Sequence, residues 1–179
     1  MRDDARLVEE ARAGDLDAFA ELVRSYERRV RGMLTRLLDD PRDVEEATQD
    51  TFVQAWRALD RFEGRSTVFT WLYRIAVNTA LMRQRRTQGP TQELDEAAER
   101  RVARPEPDTV ETAELRGFLL ARIRALPFEY RAPLVLRDIE GLSNAEVAEA
   151  LGLGLAAAKS RIHRARMTIR AELEEWRGS

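Results

Sequence analysis

Apolar side chains recur at steps of three and four residues along the first 86 positions, which is the spacing of one helix face. One apolar stripe runs from Phe19 to Leu37. Two further stripes follow, consisting of Val44, Ala47, Thr48, Phe52, Ala55, Trp56 and Leu59, and of Phe69, Leu72, Tyr73, Ala76 and Ala80. Helical spacing returns near Thr109 and continues to the end, and no segment alternates as a strand does. The pattern predicts an all-α protein.

Capping residues place the ends of these helices. Asp15 follows Gly14 and suits an N-cap, and Asp40-Pro41 combines a capping aspartate with proline at the first helical position. Ser66 is expected to cap the third helix, after a glycine-containing loop that begins at Phe62.

In the second half, Pro127-Phe128 begins a helix that is expected to end near Gly141, with Ile139 on its inner face. Pro133 lies near the start of that helix, where it is either tolerated or marks a bend.

The middle of the chain has a different composition. Residues 87–108 contain three prolines and six acidic side chains, with almost no large apolar residue. Such a segment is typical of a flexible acidic linker. We therefore expect two small helical domains, at residues 1–86 and 109–179, joined by a linker at 87–108.

Charge is concentrated on one helix although the net charge of the chain is only −2. Residues 155–171 contain five cationic side chains and no acid. This helix follows Ser143-Asn144-Ala145-Glu146, which has capping-box spacing, and the short turn Gly152-Leu153-Gly154. The pattern indicates a helix-turn-helix whose second helix fits the DNA major groove. The alternative is an amphipathic helix pair with a solvated basic face.

Several classes of site are excluded by what the sequence lacks. The chain has no cysteine and one histidine, so it offers no thiolate metal site, multi-histidine site or cysteine nucleophile. We find no glycine-rich phosphate loop and no nucleophile–histidine pair, so we expect no catalytic residue, metal or cofactor, and no enzyme. The absence of a long apolar run or a signal peptide predicts a cytoplasmic protein without membrane insertion.

Three segments resemble one family, in the family's order. LPFEYRAPLVLRDIEGLSNAEVAEALGL followed by KSRIHRAR is similar to the promoter-recognising C-terminal domain of extracytoplasmic-function (ECF, group IV) sigma factors. DVEEATQDTFVQAWRAL and FEGRSTVFTWLYRIAVNTALMRQRR resemble that family's other domain. The resemblance implies a transcription initiation factor that directs core RNA polymerase to promoters by reading their −10 and −35 elements. It also implies an anti-sigma factor as a partner.

The resemblance also implies three sets of contact residues. Docking on the polymerase, through its β′ clamp helices, would use Asp43, Glu46, Gln49, Asp50 and Arg57; the β flap is a second expected polymerase contact. The −10 element, as an opened strand, would contact Phe62, Arg65, Ser66, Arg74, Asn78, Arg83, Arg85 and Arg86. The −35 element, as duplex, would contact Ala157, Lys159, Ser160, Arg161, His163, Arg164 and Arg166.

The sequence departs from the family at the start of the second helix. Gly154 to Lys159 reads GLAAAK, and the family's threonine hydroxyl, which could bind a phosphate or base, is missing. Another class of function fits the helix-turn-helix alone: a free-standing repressor with a dimerising N-terminal domain. Such a repressor would bind a palindromic duplex tightly without polymerase.

Overall fold

The computed structural model describes residues 4–87 and 110–178, which form helices joined by short turns. The first four helices are α1 (Asp4–Arg12), α2 (Leu16–Leu37), α3 (Pro41–Ala58) and α4 (Val68–Thr87), with a 3₁₀ turn at Leu59–Arg61. The others are α5 (Val110–Ala125), α6 (Phe128–Leu134), a π turn (Val135–Ile139), α7 (Asn144–Leu151) and α8 (Leu155–Gly178). Within these ranges there is no strand, which confirms the all-α prediction.

The predicted linker lies outside the described residues except for Thr87, the last residue of α4. The predicted domain bounds therefore stay a prediction. Among residues 4–87 and 110–178, no helix combines the length and apolarity that crossing a membrane requires.

The apolar stripe of α2 forms the centre of the N-terminal half. Val30, Met33, Leu34 and Leu37 are fully buried there. The expected caps are present: the Asp15 carboxylate accepts hydrogen bonds from the backbone at the start of α2, and Asp40 does so at the start of α3. These caps satisfy amides that a helix leaves unpaired at its N-terminus.

Two details of this half differ from the sequence prediction. The hydroxyl of Thr67, and not that of Ser66, accepts a hydrogen bond from the Thr70 amide at 3.1 Å, so the cap lies one residue later. Trp56 was expected in the core, but it remains 38% exposed and packs edge-on against Phe19 at 4.8 Å. It lies at the margin of the stripe, where sequence spacing does not determine burial.

Pro133 changes the helix that contains it. Because proline has no amide hydrogen and its ring crowds the preceding turn, α6 ends at Leu134 and continues as the π turn. The Glu140 amide there bonds to the Val135 carbonyl, five residues earlier. The wider turn rotates Ile139 outwards to 38% exposure, so its predicted burial was wrong.

The helix-turn-helix follows the prediction closely. Ser143 and Glu146 form a complete capping box at the start of α7. The hydrogen bonds that Glu146 accepts from Ser143 lower the pKa of the Glu146 carboxyl. Gly152 ends α7 in the left-handed conformation with φ +62°, which is strained for other residues. The turn then leads directly into α8.

The two helical domains, α1–α4 and α5–α8, lie against each other. Helix α7 packs along α4, and buried residues of both halves form one continuous hydrophobic cluster. Val147 of α7 and Val77 of α4 are both fully buried in this cluster. The first helix of the helix-turn-helix is thus seated on the helix that carries the predicted −10 residues.

The capping box gives a direct test of this local structure. We expect Ser143→Ala to lower the free energy of unfolding by about 1 kcal/mol, because the Glu146 amide loses its acceptor. Chemical denaturation monitored by circular dichroism measures the difference. Ser160→Ala, on the exposed face of α8, is the matched control and should leave stability unchanged. Equal stability of both variants would contradict a stabilising cap.

Candidate nucleic-acid and polymerase interfaces

Helix α8 separates a buried face from a basic exposed face. Ala158, Ile162 and Ala165 are buried against the rest of the C-terminal half. Six of the seven predicted −35 residues are exposed on the other side, and Arg161 is partly buried. The exposed residues are Ala157, Lys159, Ser160, His163, Arg164 and Arg166. The structure therefore brings the predicted −35 set together on one surface.

The cations of this surface differ in their partners. Arg166 donates to Asp138 through Nε at 2.8 Å, and this hydrogen bond raises the pKa of Arg166. Arg164 donates to the Tyr130 hydroxyl at 3.4 Å, and Arg161 lies 3.8 Å from Glu129. Lys159 has no ion pair with any residue in the described ranges. Lys159 can thus bind a phosphate without first leaving a carboxylate.

The loop between the 3₁₀ turn and α4 is held at both ends. At its start, the Phe62 ring packs against Trp71 with centroids 4.8 Å apart. At its end, Thr67 caps α4. Between these points the loop contains Gly64 at φ +69° and an exposed ion pair of Arg65 with Glu63 at 2.6 Å. Ser66 is partly buried. The loop is an exposed arch between two fixed ends.

Four of the predicted −10 residues lie exposed along α4. Arg74 and Asn78 share one face, as expected from their spacing of four, and Arg85 and Arg86 follow near the end of the helix. Arg74 forms an ion pair with Glu149 of α7 at 2.6 Å. In this arrangement Arg74 therefore faces the C-terminal half.

Arg83 has a different environment from the other predicted −10 residues. Its side chain is 14% exposed and lies among three carboxylates of α3: Glu46 at 2.7 Å, Asp50 at 2.6 Å and Asp43 at 3.5 Å. Burial favours a lower pKa for Arg83, but the hydrogen bonds to Asp50 and Glu46 raise it overall. Three predicted polymerase-docking residues and one predicted DNA-binding residue thus form one network between α3 and α4.

The outer face of α3 contains apolar residues that sequence reasoning missed as contact residues. Val53 is 47% exposed and lies four residues from both Gln49 and Arg57, which are also exposed. Trp56 is exposed beside them. The spacing of Val53 from Gln49 and Arg57 was a signal available in the sequence. Exposed apolar side chains grouped with polar ones are typical of protein interfaces.

Polar contacts join the two halves around Glu140. Its carboxylate is largely buried, accepts a hydrogen bond from the Tyr73 hydroxyl at 2.5 Å, and forms an ion pair with Arg36 at 3.3 Å. Burial and this hydrogen bond raise the pKa of Tyr73. Thr70 donates to Glu146 at 2.9 Å. Each contact joins the N-terminal half to the segment that begins the helix-turn-helix.

A further ion pair joins the two halves near the end of α2. Arg131 is 3% exposed and lies 3.2 Å from Asp39 at the end of α2. Arg124 donates to the Thr35 carbonyl at 3.1 Å. In the part of the chain that the structure describes, no group of three or more acidic or histidine residues is arranged to hold a metal ion.

Comparison with known proteins places two sequence families on the two halves. Sigma-70 region 2 matches residues 22–89, and Sigma-70, region 4, matches residues 119–169. The ECF RNA polymerase sigma-E factor of Haemophilus influenzae is 36% identical over 182 residues, covering 96% of this chain and 95% of that protein. The RNA polymerase sigma-H factor of Pseudomonas aeruginosa is 36% identical over 181 residues, covering 96% and 94%.

Solved structures have the same arrangement of helices. CnrH in complex with the cytosolic domain of CnrY matches with a TM-score of 0.70 at 29% identity, over 96% of this chain and 97% of that chain. The sigma factor RpoE in complex with the anti-sigma factor NepR, from Bartonella quintana, matches with a TM-score of 0.71 over 89% and 98%. At 24% identity, this second likeness shows the fold alone.

The Arg83 network can be tested independently of DNA. We expect Arg83→Met to lower the free energy of unfolding by about 1–3 kcal/mol, because it leaves three carboxylates without their shared cation. Thermal and urea unfolding measure this change. Arg86→Met, an exposed arginine on the same helix, is the control and should be neutral. If the Arg83 variant is equally stable, the network does not hold α3 to α4.

Proposed function

Because the chain belongs to the sigma-70 family, among its ECF sigma factors, we propose that its two helical domains divide promoter recognition between them. The chain is an alternative sigma factor: it binds core RNA polymerase and directs the enzyme to specific promoters. The observation that carries this conclusion is similarity over nearly the whole length of both domains, in the same order. A free-standing repressor would need only the helix-turn-helix.

The −35 element is assigned to the exposed face of α8. Its cations project from a helix whose N-terminal turn is open, which is the geometry that enters a major groove. Lys159 and Arg164 are the residues that we expect to contact DNA most readily, since neither is held by a carboxylate of the described residues. Arg166 must exchange Asp138 for a phosphate or a base edge.

The −10 element is assigned to the 62–67 loop and to the face of α4 that contains Arg74 and Asn78. Opened DNA offers unstacked bases and a charged backbone, which aromatic walls and arginines bind. Arg85 and Arg86 extend this basic surface along the helix.

Polymerase docking is assigned to the outer face of α3. We place the centre of this surface at Val53 and Trp56, with Gln49 and Arg57 beside them, as the site for the β′ clamp helices. Asp43, Glu46 and Asp50 contribute their remaining carboxylate oxygens at the edge shared with Arg83. An apolar core with a polar rim is the usual anatomy of such an interface.

The β flap is assigned to an apolar groove of the C-terminal half. The groove has a volume of about 300 Å³ and lies between α5, the π turn and α8. Ile123, Ile139 and Ile169 contribute its apolar wall, and Ile139 is available there because the π turn exposes it.

Further properties follow from membership in the family. We assign the chain to group IV of the sigma factors, as a cytoplasmic protein regulated by an anti-sigma factor. In one of the similar structures, the sigma factor RpoE is bound to the anti-sigma factor NepR. The relatives are transcription initiation factors, and we infer that nucleotide transfer belongs to the polymerase alone.

Promoter binding requires an arrangement more open than the one described. The two elements are about 25 base-pair steps apart, or about 85 Å at 3.4 Å per step. Arg74 contacts Glu149, and the ten residue-to-residue steps from Glu149 to Lys159 span at most about 36 Å even when fully extended. The two DNA-reading surfaces therefore lie too close together to reach both elements, and we infer that α7 leaves α4 on the promoter.

Promoter-directed transcription tests the proposed function. We expect the purified chain to direct core polymerase to a promoter identified by transcript-start mapping after overexpression. Arg164→Ala should weaken promoter binding by about 1–3 kcal/mol if a base contact is lost, and Arg161→Ala likewise. Arg177→Ala, at the distant end of α8, is the control. Failure to bind core polymerase, together with tight binding of a palindromic duplex by the chain alone, would favour a repressor.

Opening of the two domains can be measured by energy transfer. Since the chain has no cysteine, Arg24→Cys and Glu174→Cys place two dyes on opposite domains. We expect energy transfer between the dyes to fall when core polymerase and promoter DNA are added.

Glu140→Ala should lower energy transfer in the free chain, since losing a charged hydrogen bond costs the closed arrangement about 1.5–3 kcal/mol. Asp60→Asn is the control for Glu140→Ala and should leave energy transfer in the free chain unchanged. If energy transfer in the wild-type chain does not change on promoter DNA, the two domains do not open.

A further inference from the structure

Arg12 of α1 is joined to the beginning of the 62–67 loop, although about fifty residues separate them. Its Nε donates to the Leu59 carbonyl at 3.1 Å, and its Nη2 donates to the Phe62 carbonyl. Glu9, one turn earlier on α1, binds the third nitrogen, Nη1, at 2.7 Å. All three guanidinium nitrogens therefore have a partner, and two of the partners are backbone carbonyls beside the loop.

The guanidinium of Arg12 has a fixed orientation, in addition to having a partner at each nitrogen. Its side chain is 26% exposed, and α1 is held to the core by Leu7, Val8 and Ala11, which are all buried. Arginine presents a planar set of donors, so that two carbonyls bonded to one guanidinium keep a fixed mutual orientation. A positive charge also stabilises the carbonyls that end a helical turn. The α1 helix thus determines where the chain leaves the 3₁₀ turn.

The position of Phe62 determines the start of the exposed arch. Its carbonyl is held by Arg12 and its ring by Trp71, so both its backbone and its side chain are restrained. Only residues 63–66 then lie between Phe62 and the cap at Thr67. With so few residues, the orientation of Arg65 and Ser66 depends on where Phe62 is placed.

We propose that Arg12 is a positioning residue for −10 specificity: it holds the Leu59 and Phe62 carbonyls so that the 62–67 loop presents its side chains in one orientation to the opened strand. Arg12 itself does not contact DNA. The proposal rests on the assignment of the loop to the −10 element. It adds α1 to the set of elements that determine −10 recognition, whose contact residues the resemblance places between residues 62 and 86.

The test asks how well the full chain, bound to core polymerase, distinguishes the correct −10 strand from an altered one. It separates this discrimination from the overall affinity for DNA. The probes are two single-stranded oligonucleotides: the non-template −10 sequence of a mapped promoter, and the same strand with one base replaced. We expect Arg12→Gln to reduce the ratio of the two affinities by about three- to tenfold, the effect of losing one or two net hydrogen bonds. Core binding and −35 duplex binding should stay at the wild-type level.

Two further variants separate positioning from general stability. Arg12→Lys keeps the charge but cannot hold both carbonyls as a planar fork, so its discrimination ratio should lie between those of wild type and Arg12→Gln. Arg6→Gln removes an arginine from the same helix, where it pairs with Glu10, and should keep the wild-type ratio. Hydrogen exchange of the 59–67 backbone should accelerate in both Arg12 variants, and not in Arg6→Gln.

The outcomes are distinct. An unchanged ratio in a folded Arg12→Gln overturns the proposal and leaves Arg12 as a stabilising contact. If Arg12→Gln fails to fold, Arg12→Lys decides: an intermediate ratio supports the proposal, and the wild-type ratio overturns it. If the wild-type complex itself does not distinguish the two oligonucleotides, then the assignment of the loop to the −10 element fails, which is a separate result.

Discussion

The packing of α7 against α4 is the contact on which the arrangement of both DNA-reading surfaces depends. Helix α4 has three neighbours at once: α2 and α3 in its own domain, and α7 from the helix-turn-helix. Its buried residues Tyr73 and Val77 contribute to one cluster that includes Val147 of α7. Because a single helix carries the proposed −10 face and also packs against the helix-turn-helix, the two proposed DNA-reading surfaces are physically linked through α4.

The polar contacts around this packing differ in strength. The ion pair of Arg74 with Glu149 is exposed on both sides, and exposed pairs contribute about 0–1 kcal/mol. The contacts of Glu140 and Arg131 are the exceptions, because both side chains are largely buried and each has a partner in the other half. Removing the partner of a buried charge is costly, so among the polar contacts the closed arrangement depends most on Glu140 and Arg131.

Arginine is the cation in the ion pairs described above. Lys159 is the only lysine, and the other cations are arginines. Arg12, Arg83 and Arg166 each hold two or more oxygens at once, which a lysine ammonium does with less geometric definition. The acidic and basic residues of the chain nearly balance, at a net charge of −2, so its arginines can pair with its own carboxylates in defined orientations. On α8, Lys159 and Arg164 are held by no carboxylate of the described residues, and these two cations stay available for the proposed contact with DNA.

Local features of the fold were predictable from the sequence, because they depend on neighbouring residues. The caps at Asp15, Asp40 and Ser143 need only the amides that follow them, and the buried stripe of α2 needs only helical spacing. Features that depend on distant residues were not predictable. The spacing of α4 gave no indication that Arg83 faces α3. The π turn after Pro133 likewise exposed Ile139 against its apolar pattern.

The proposed site residues likewise divide into those placed by neighbouring residues and those placed by distant ones. The proposed −35 residues lie on one helix, so helical spacing was enough to predict which side of α8 is exposed. The proposed −10 surface combines one face of α4 with the 62–67 loop, and a loop takes its shape from the residues that hold its ends. Phe62 is held by α1 and α4, and Arg74 forms an exposed ion pair with α7. The part of recognition that is hardest to infer from sequence is therefore the part that the tertiary contacts of the chain control. The proposed role of Arg12 therefore predicts that −10 preference responds to a residue outside the DNA contact, whereas the proposed −35 residues all lie on α8.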